Sequence, residues 1–132
     1  MSLQDELIVE QIQVGPMENF AYLVGSKSTR EVAVIDPAWD IDALLNLIDE
    51  RDYILSAALV THYHPDHCGG SFGQNTVAGV ADLLEKRPVR IYTHKLEADG
   101  LKKVTGVSES DIAKVESGDK LEIGDVEVEF LH

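Results

Sequence analysis

The sequence predicts an α/β (or α+β) fold, a mixed sheet flanked by helices. Two patterns carry that expectation. Residues 32–61 run strand, helix, strand with a short crossover, the order of a layered sheet-and-helix protein. Ahead of the helix lie short stretches rich in β-branched and aromatic residues, spaced closely enough for hairpins. At 132 residues the chain can bury one core and is read as a single domain, residues 1–132.

Residues 6–14, Glu-Leu-Ile-Val-Glu-Gln-Ile-Gln-Val, alternate in part and read as a strand ended by Gly15-Pro16. Phe20, Tyr22 and Val24 alternate with Ala21 and Leu23 in a second strand, closed by Gly25-Ser26. The run Val32 to Ile35 is continuously apolar, so a third strand is expected with both faces buried. Asp36-Pro37 stops it, because a residue before proline is pushed out of helical geometry. Asp40 is placed to N-cap a helix whose Ile41, Leu44, Leu45 and Ile48 share one face. Arg51-Asp52 closes that helix, and residues 54–61 form the next strand. Beyond Gly69-Gly70, the spacing of Val77, Val80, Ala81 and Leu84 predicts a second helix ending near Lys86-Arg87-Pro88, with basic residues at its C-terminus. Residues 89–92 read as a short strand, and residues 94–118 as irregular apart from a short helix after Ser108. A hairpin comes last, residues 120–123 and 126–131 around the glycine-first turn Gly124-Asp125, with Glu127 and Glu129 on its wet face.

Acidic residues outnumber basic ones 24 to 11, a formal charge of −13. Phosphate backbones are neutralised by clustered Lys and Arg, so this balance argues against nucleic acid as a partner. No stretch approaches the roughly 20 apolar residues that span a bilayer, and no membrane partner is expected. The start, Met1 to Glu6, has neither the basic nor the apolar region of a signal peptide. The single Cys68 excludes an internal disulfide and fits a reducing, cytoplasmic compartment. With no activating base identifiable, Cys68 is expected to be a small packed side chain rather than a nucleophile.

The strongest chemical signal is Thr61-His62-Tyr63-His64-Pro65-Asp66-His67-Cys68-Gly69-Gly70, which follows the apolar run Ile54 to Val60. Side chains two apart on an extended chain point to the same side, so His62 and His64 converge. Pro65 bends the path and brings Asp66 and His67 round. Neutral imidazoles with a carboxylate suit zinc, and also iron or manganese. A solvated loop would not concentrate three histidines and an aspartate in six residues.

This stretch resembles the signature of the metallo-β-lactamase superfamily. Val14 to Val24, with its Gly15-Pro16 and Asn19-Phe20, and Val34-Ile35-Asp36-Pro37 resemble the opening of the glyoxalase II-like branch. The resemblance implies an αββα sandwich, of which this chain would be the N-terminal half or somewhat more. It implies that His62 and His64 bind a first metal and Asp66 and His67 a second, and that Asp36 supports the site from behind the ligands. The later ligands, beginning with a Thr-Pro-Gly-His segment after the strand that resembles Val126 to His132, are expected beyond this chain. His94 and His132 match no ligand position and are taken as ordinary polar residues.

The activity implied is hydrolysis of a thioester or related ester of a small-molecule substrate. Two zinc ions would activate the attacking water, with Asp66 orienting it. An alternative within the superfamily is a mononuclear-iron persulfide dioxygenase, in which Asp66 and His67 do not bind the metal. A third reading is an inactive metal-binding fragment, prone to self-association through an exposed sheet edge. No substrate-binding residue is identified.

Overall fold

The computed structural model describes residues 7–14, 19–61, 68–72, 75–77 and 79–130. β1 (Leu7–Val14), β2 (Asn19–Ser26) and β3 (Glu31–Ile35) form an antiparallel meander, as the closely spaced turn signals require. Helix α1 (Ile41–Glu50) then crosses back so that β4 (Ile54–Val60) lies parallel to β3. β7 (Arg90–His94) and β8 (Ile112–Val115) extend the sheet in parallel. The result is a six-stranded mixed sheet in the order β1-β2-β3-β4-β7-β8. Two separate hairpins complete it: β5 (Gly70–Phe72) with β6 (Asn75–Val77), and β9 (Lys120–Ile123) with β10 (Val126–Glu129).

Helix α1 forms where its pattern places it. The Asp40 carboxylate accepts from the Ala43 N–H at 3.0 Å, satisfying one of the unpaired donors of the first turn. Its buried residues are Ile41, Leu44, Leu45 and Ile48, the face expected from spacing. They pack on Leu23, Val32, Val34, Ala58 and Ile91 of the sheet, together with Val80 and Leu83 of α2 (Val80–Lys86) and Leu101 of α3 (Ala98–Thr105). Pairing of Lys86 with Asp42, and of Arg87 with Asp49 at 2.6 Å, ties α2 to α1 at the surface.

The other sheet face carries a second, smaller core. Ala33, Ala57 and Leu59 meet Ile123 of the β9–β10 hairpin, with Ile35, Tyr92, Leu121, Val128 and Phe130 around them. Successive side chains of β3 therefore alternate between helices and hairpin, which is why the strand is apolar throughout. Gly124 takes φ 62°, the geometry of a glycine-first turn, and β10 exposes Glu127 and Glu129 as expected. Ser26 and Ser28 donate to the Asp125 carboxylate, the latter at 2.7 Å, and so latch this turn to the end of β2.

Three expectations need correction. The second helix begins at Val80, because Val77 is spent in β6, and its buried residues are Val80 and Leu83 rather than Leu84. Residues 94–118 hold an α-helix, α3, and a strand, β8, besides the 3-10 turn Glu109–Asp111 that follows Ser108. His94 is the last residue of β7 and does not lie beyond it. No helix among the described residues is long and apolar enough to cross a membrane.

Candidate metal centre

β3, β4, β7 and β8 are parallel neighbours, so their C-terminal ends share one edge of the sheet. That edge is where ligands bind in open α/β sheets. β4 ends at Val60, and Thr61 leads directly into residues 62–67. His62, His64, Asp66 and His67, the expected ligands, lie outside the described residues. Among the described residues, no group of three or more His, Cys, Asp or Glu could hold a metal ion. What the structure describes is how the entry to and exit from that stretch are held.

Asp36 is the centre of the entry. It sits at the end of β3 with only 6% of its surface exposed and a φ of 53°, which aspartate tolerates better than most residues. Its backbone N–H donates to the Leu59 carbonyl at 2.8 Å. Its carboxylate accepts from the Thr61 N–H at 2.8 Å and from the Thr61 hydroxyl at 2.6 Å. Both polar handles of the residue preceding His62 are thus held by one buried carboxylate. Charge-assisted bonds of this kind are stronger than neutral ones.

A second clamp comes from the opposite side of β4. Thr93 is 1% exposed, and its hydroxyl donates to the Val60 carbonyl at 2.9 Å. The end of β4 is therefore fixed by β3 on one flank and by β7 on the other. Sequence reasoning singled out Asp36 but missed Thr93. No local signal marks Thr93, because its hydroxyl gains a role only from the Val60 carbonyl of the neighbouring strand.

The exit is fixed by contact. Cys68 is fully buried, as expected of a packed side chain, and its thiol points to the Gly69 carbonyl at 3.4 Å. Gly70 takes φ 110°, and a Cβ there would collide with the Val104 carbonyl of α3. Only glycine lets the chain leave the ligand stretch so close to that helix. Beside Thr61, across the β4–β7 register in which Val60 faces Thr93, lies His94, whose Nδ1 accepts from the Leu96 N–H at 3.1 Å.

The donor set fits a divalent transition metal by its chemistry: imidazoles and one carboxylate follow a strand end that is immobilised before the first ligand. Comparison with known proteins agrees. A hydroxyacylglutathione hydrolase from Rhodopseudomonas palustris is 30% identical over 115 residues, which cover 86% of this chain and 38% of that protein. A metallo-beta-lactamase from Staphylococcus aureus superposes with a TM-score of 0.69 at 20% identity, over 96% of this chain and 34% of that one. ETHE1 from Myxococcus xanthus does so with a TM-score of 0.67 at 23% identity, over 91% and 45%. At these identities the two structures show a shared fold. The chain spans at most about two-fifths of the length of the curated relatives it matches, from 19% to 40%. The sequence profile of the metallo-beta-lactamase superfamily matches residues 14–132, and the chain belongs to that superfamily.

Proposed function

We propose that the complete protein is a metal-dependent hydrolase of thioesters or related esters. The observation that carries this reading is the double clamp, by Asp36 and Thr93, on the strand end leading into His62. Its similarity to a protein from Rhodopseudomonas palustris named for hydrolysis of a hydroxyacylglutathione supports this reaction class. His62 and His64 would hold a first ion, and Asp66 and His67 a second; zinc suits the set, and iron or manganese is accepted by the same donors. When bound, such ions supply a water acidified toward a pKa of about 7 and a Lewis acid for the scissile carbonyl.

The chain's own contribution is placement. Asp36 removes the freedom of Thr61, so the chain enters the ligand stretch from a fixed point. Asp66 would accept a hydrogen bond from the attacking water and orient it toward the substrate. Cys68 is fully buried, and water is the nucleophile in this reading.

The test is thioester cleavage by the full-length protein, followed by free thiol released. Activity abolished by a chelator and restored by zinc is the expected result. Iron in the purified protein, with oxygen uptake on a persulfide, would contradict it and favour a mononuclear-iron dioxygenase.

A further inference from the structure

β1 closes one end of the six-stranded sheet, and among the described residues no strand pairs with its outer edge. An open edge carries a row of backbone donors and acceptors, which proteins blunt with short strands, lysine, proline or a bulge. β8 at the other end has two of these devices: it is four residues long and presents the exposed Lys114. β1 has none. It is eight residues long, holds no lysine, proline or glycine, and pairs with β2 in unbroken register from Leu7–Ser26 to Val14–Asn19.

Charge separates this edge from the rest of the chain. The chain is 27% charged and carries a formal −13, yet β1 and β2 together hold one charged residue, Glu10. Arg51 pairs with Glu10, so the ribbon is locally neutral. Val9 is 66% exposed, and Gln11 and Gln13 share its face and its exposure. A second copy can therefore reach this edge without meeting the repulsion that the rest of the surface offers.

We propose that two copies of this chain pair antiparallel through their β1 edges, with Gln11 opposite Gln11, and join their two sheets into one. A two-fold axis normal to the sheet sets helices beside helices and hairpin beside hairpin. Antiparallel partners point to the same face, so such an axis must bring one residue opposite its own copy. The centre of β1 offers Glu10 or Gln11. Centring on Glu10 sets two carboxylates face to face, which destabilises a pair. Centring on Gln11 sets Glu10 opposite Ile12 and Val9 opposite Gln13, and joins two amides that each donate and accept. The pairing does not depend on the hydrolase reading.

The test is sedimentation equilibrium of the full-length protein, as wild type and with Gln11→Lys or Gln11→Glu. Gln11 is exposed, so the fold accepts either charge. A strand pair makes a small interface, and a wild-type dimer with a Kd between about 1 µM and about 1 mM is expected. Each variant alone should dimerise about threefold more weakly, because like charges then face each other across the axis. An equimolar mixture of the two variants should recover wild-type association or better. Wild type that stays monomeric up to about 1 mM overturns the proposal. Shifts of opposite sign in the two variants would also overturn it, since net charge would then govern association at another surface. Equal affinity in all three proteins, or no gain on mixing, would place the interface away from β1.

Discussion

Asp36 holds a left-handed backbone conformation that costs a non-glycine residue on the order of 1 kcal/mol or more, and it does so while buried. The conformation persists because it aims one carboxylate at both the N–H and the hydroxyl of Thr61. Asp36→Ala leaves the backbone cost in place and strips both acceptors, so a loss of about 3 kcal/mol in urea denaturation is expected. Metal affinity, measured by competition with a chelating dye, should fall about 10- to 100-fold, the usual effect of losing support behind a ligand. Asp36→Asn keeps an acceptor for the Thr61 N–H and should fall between. Wild-type affinity in Asp36→Ala would show that the brace does not serve the metal. At this scale Asp36 was legible through the resemblance carried by Val34-Ile35-Asp36-Pro37, since an aspartate ending a strand is by itself an ordinary turn residue. Thr93 and His94 were not, since a hydroxyl or imidazole in a short strand gains meaning only from the strand beside it.

Elements were legible in proportion to how much apolar surface their pattern commits. α1 buries four residues at helical spacing behind an Asp cap, and its limits could be read directly. α3 buries only Ala98 and Leu101, and its Asp99-Gly100 pair reads as a turn; packing under the sheet overrides that local signal. β8 is four residues long and exists through its pairing with β7, which no local pattern announces. The β9–β10 hairpin was readable from its turn, but the latch at that turn was not. Hydrogen bonds from Ser26, and then from Ser28, hold the Asp125 carboxyl below the usual carboxylate range. Folding therefore favours its ionised form. That contribution is complete above the ordinary aspartate value and disappears as pH falls through the depressed folded value. Asp125→Asn should lower the urea midpoint at neutral pH, and the gap from wild type should close below about pH 4. A gap that widens on acidification would contradict the latch.

At the scale of the whole molecule, the sheet is a wall between two unequal cores, with helices on one face and a hairpin on the other. Its parallel half sends the ends of β3, β4, β7 and β8 to one edge, and the brace and the entry to the ligand stretch gather there. The layered class was legible from strand–helix–strand order. The second layer was legible only through the resemblance, because residue pattern alone does not say which face Ala33 and Ala57 leave open to Ile123. Charge acts on the molecule as a unit. Ion pairs such as Lys86–Asp42 and Arg87–Asp49 are exposed and each worth little, whereas a formal charge of −13 repels itself throughout the fold. Raising sodium chloride from about 10 mM to about 300 mM should therefore raise the melting temperature in a thermal scan. A fall would mean that the ion pairs outweigh the repulsion.

The most direct measurement is the metal-to-protein ratio of the purified full-length protein, by elemental analysis, in wild type and in His62→Ala and His67→Ala. About two divalent ions per chain in wild type, falling toward one in each variant, is the result expected of a paired site. Wild-type metal content in both variants would contradict a metal centre built on residues 62–67.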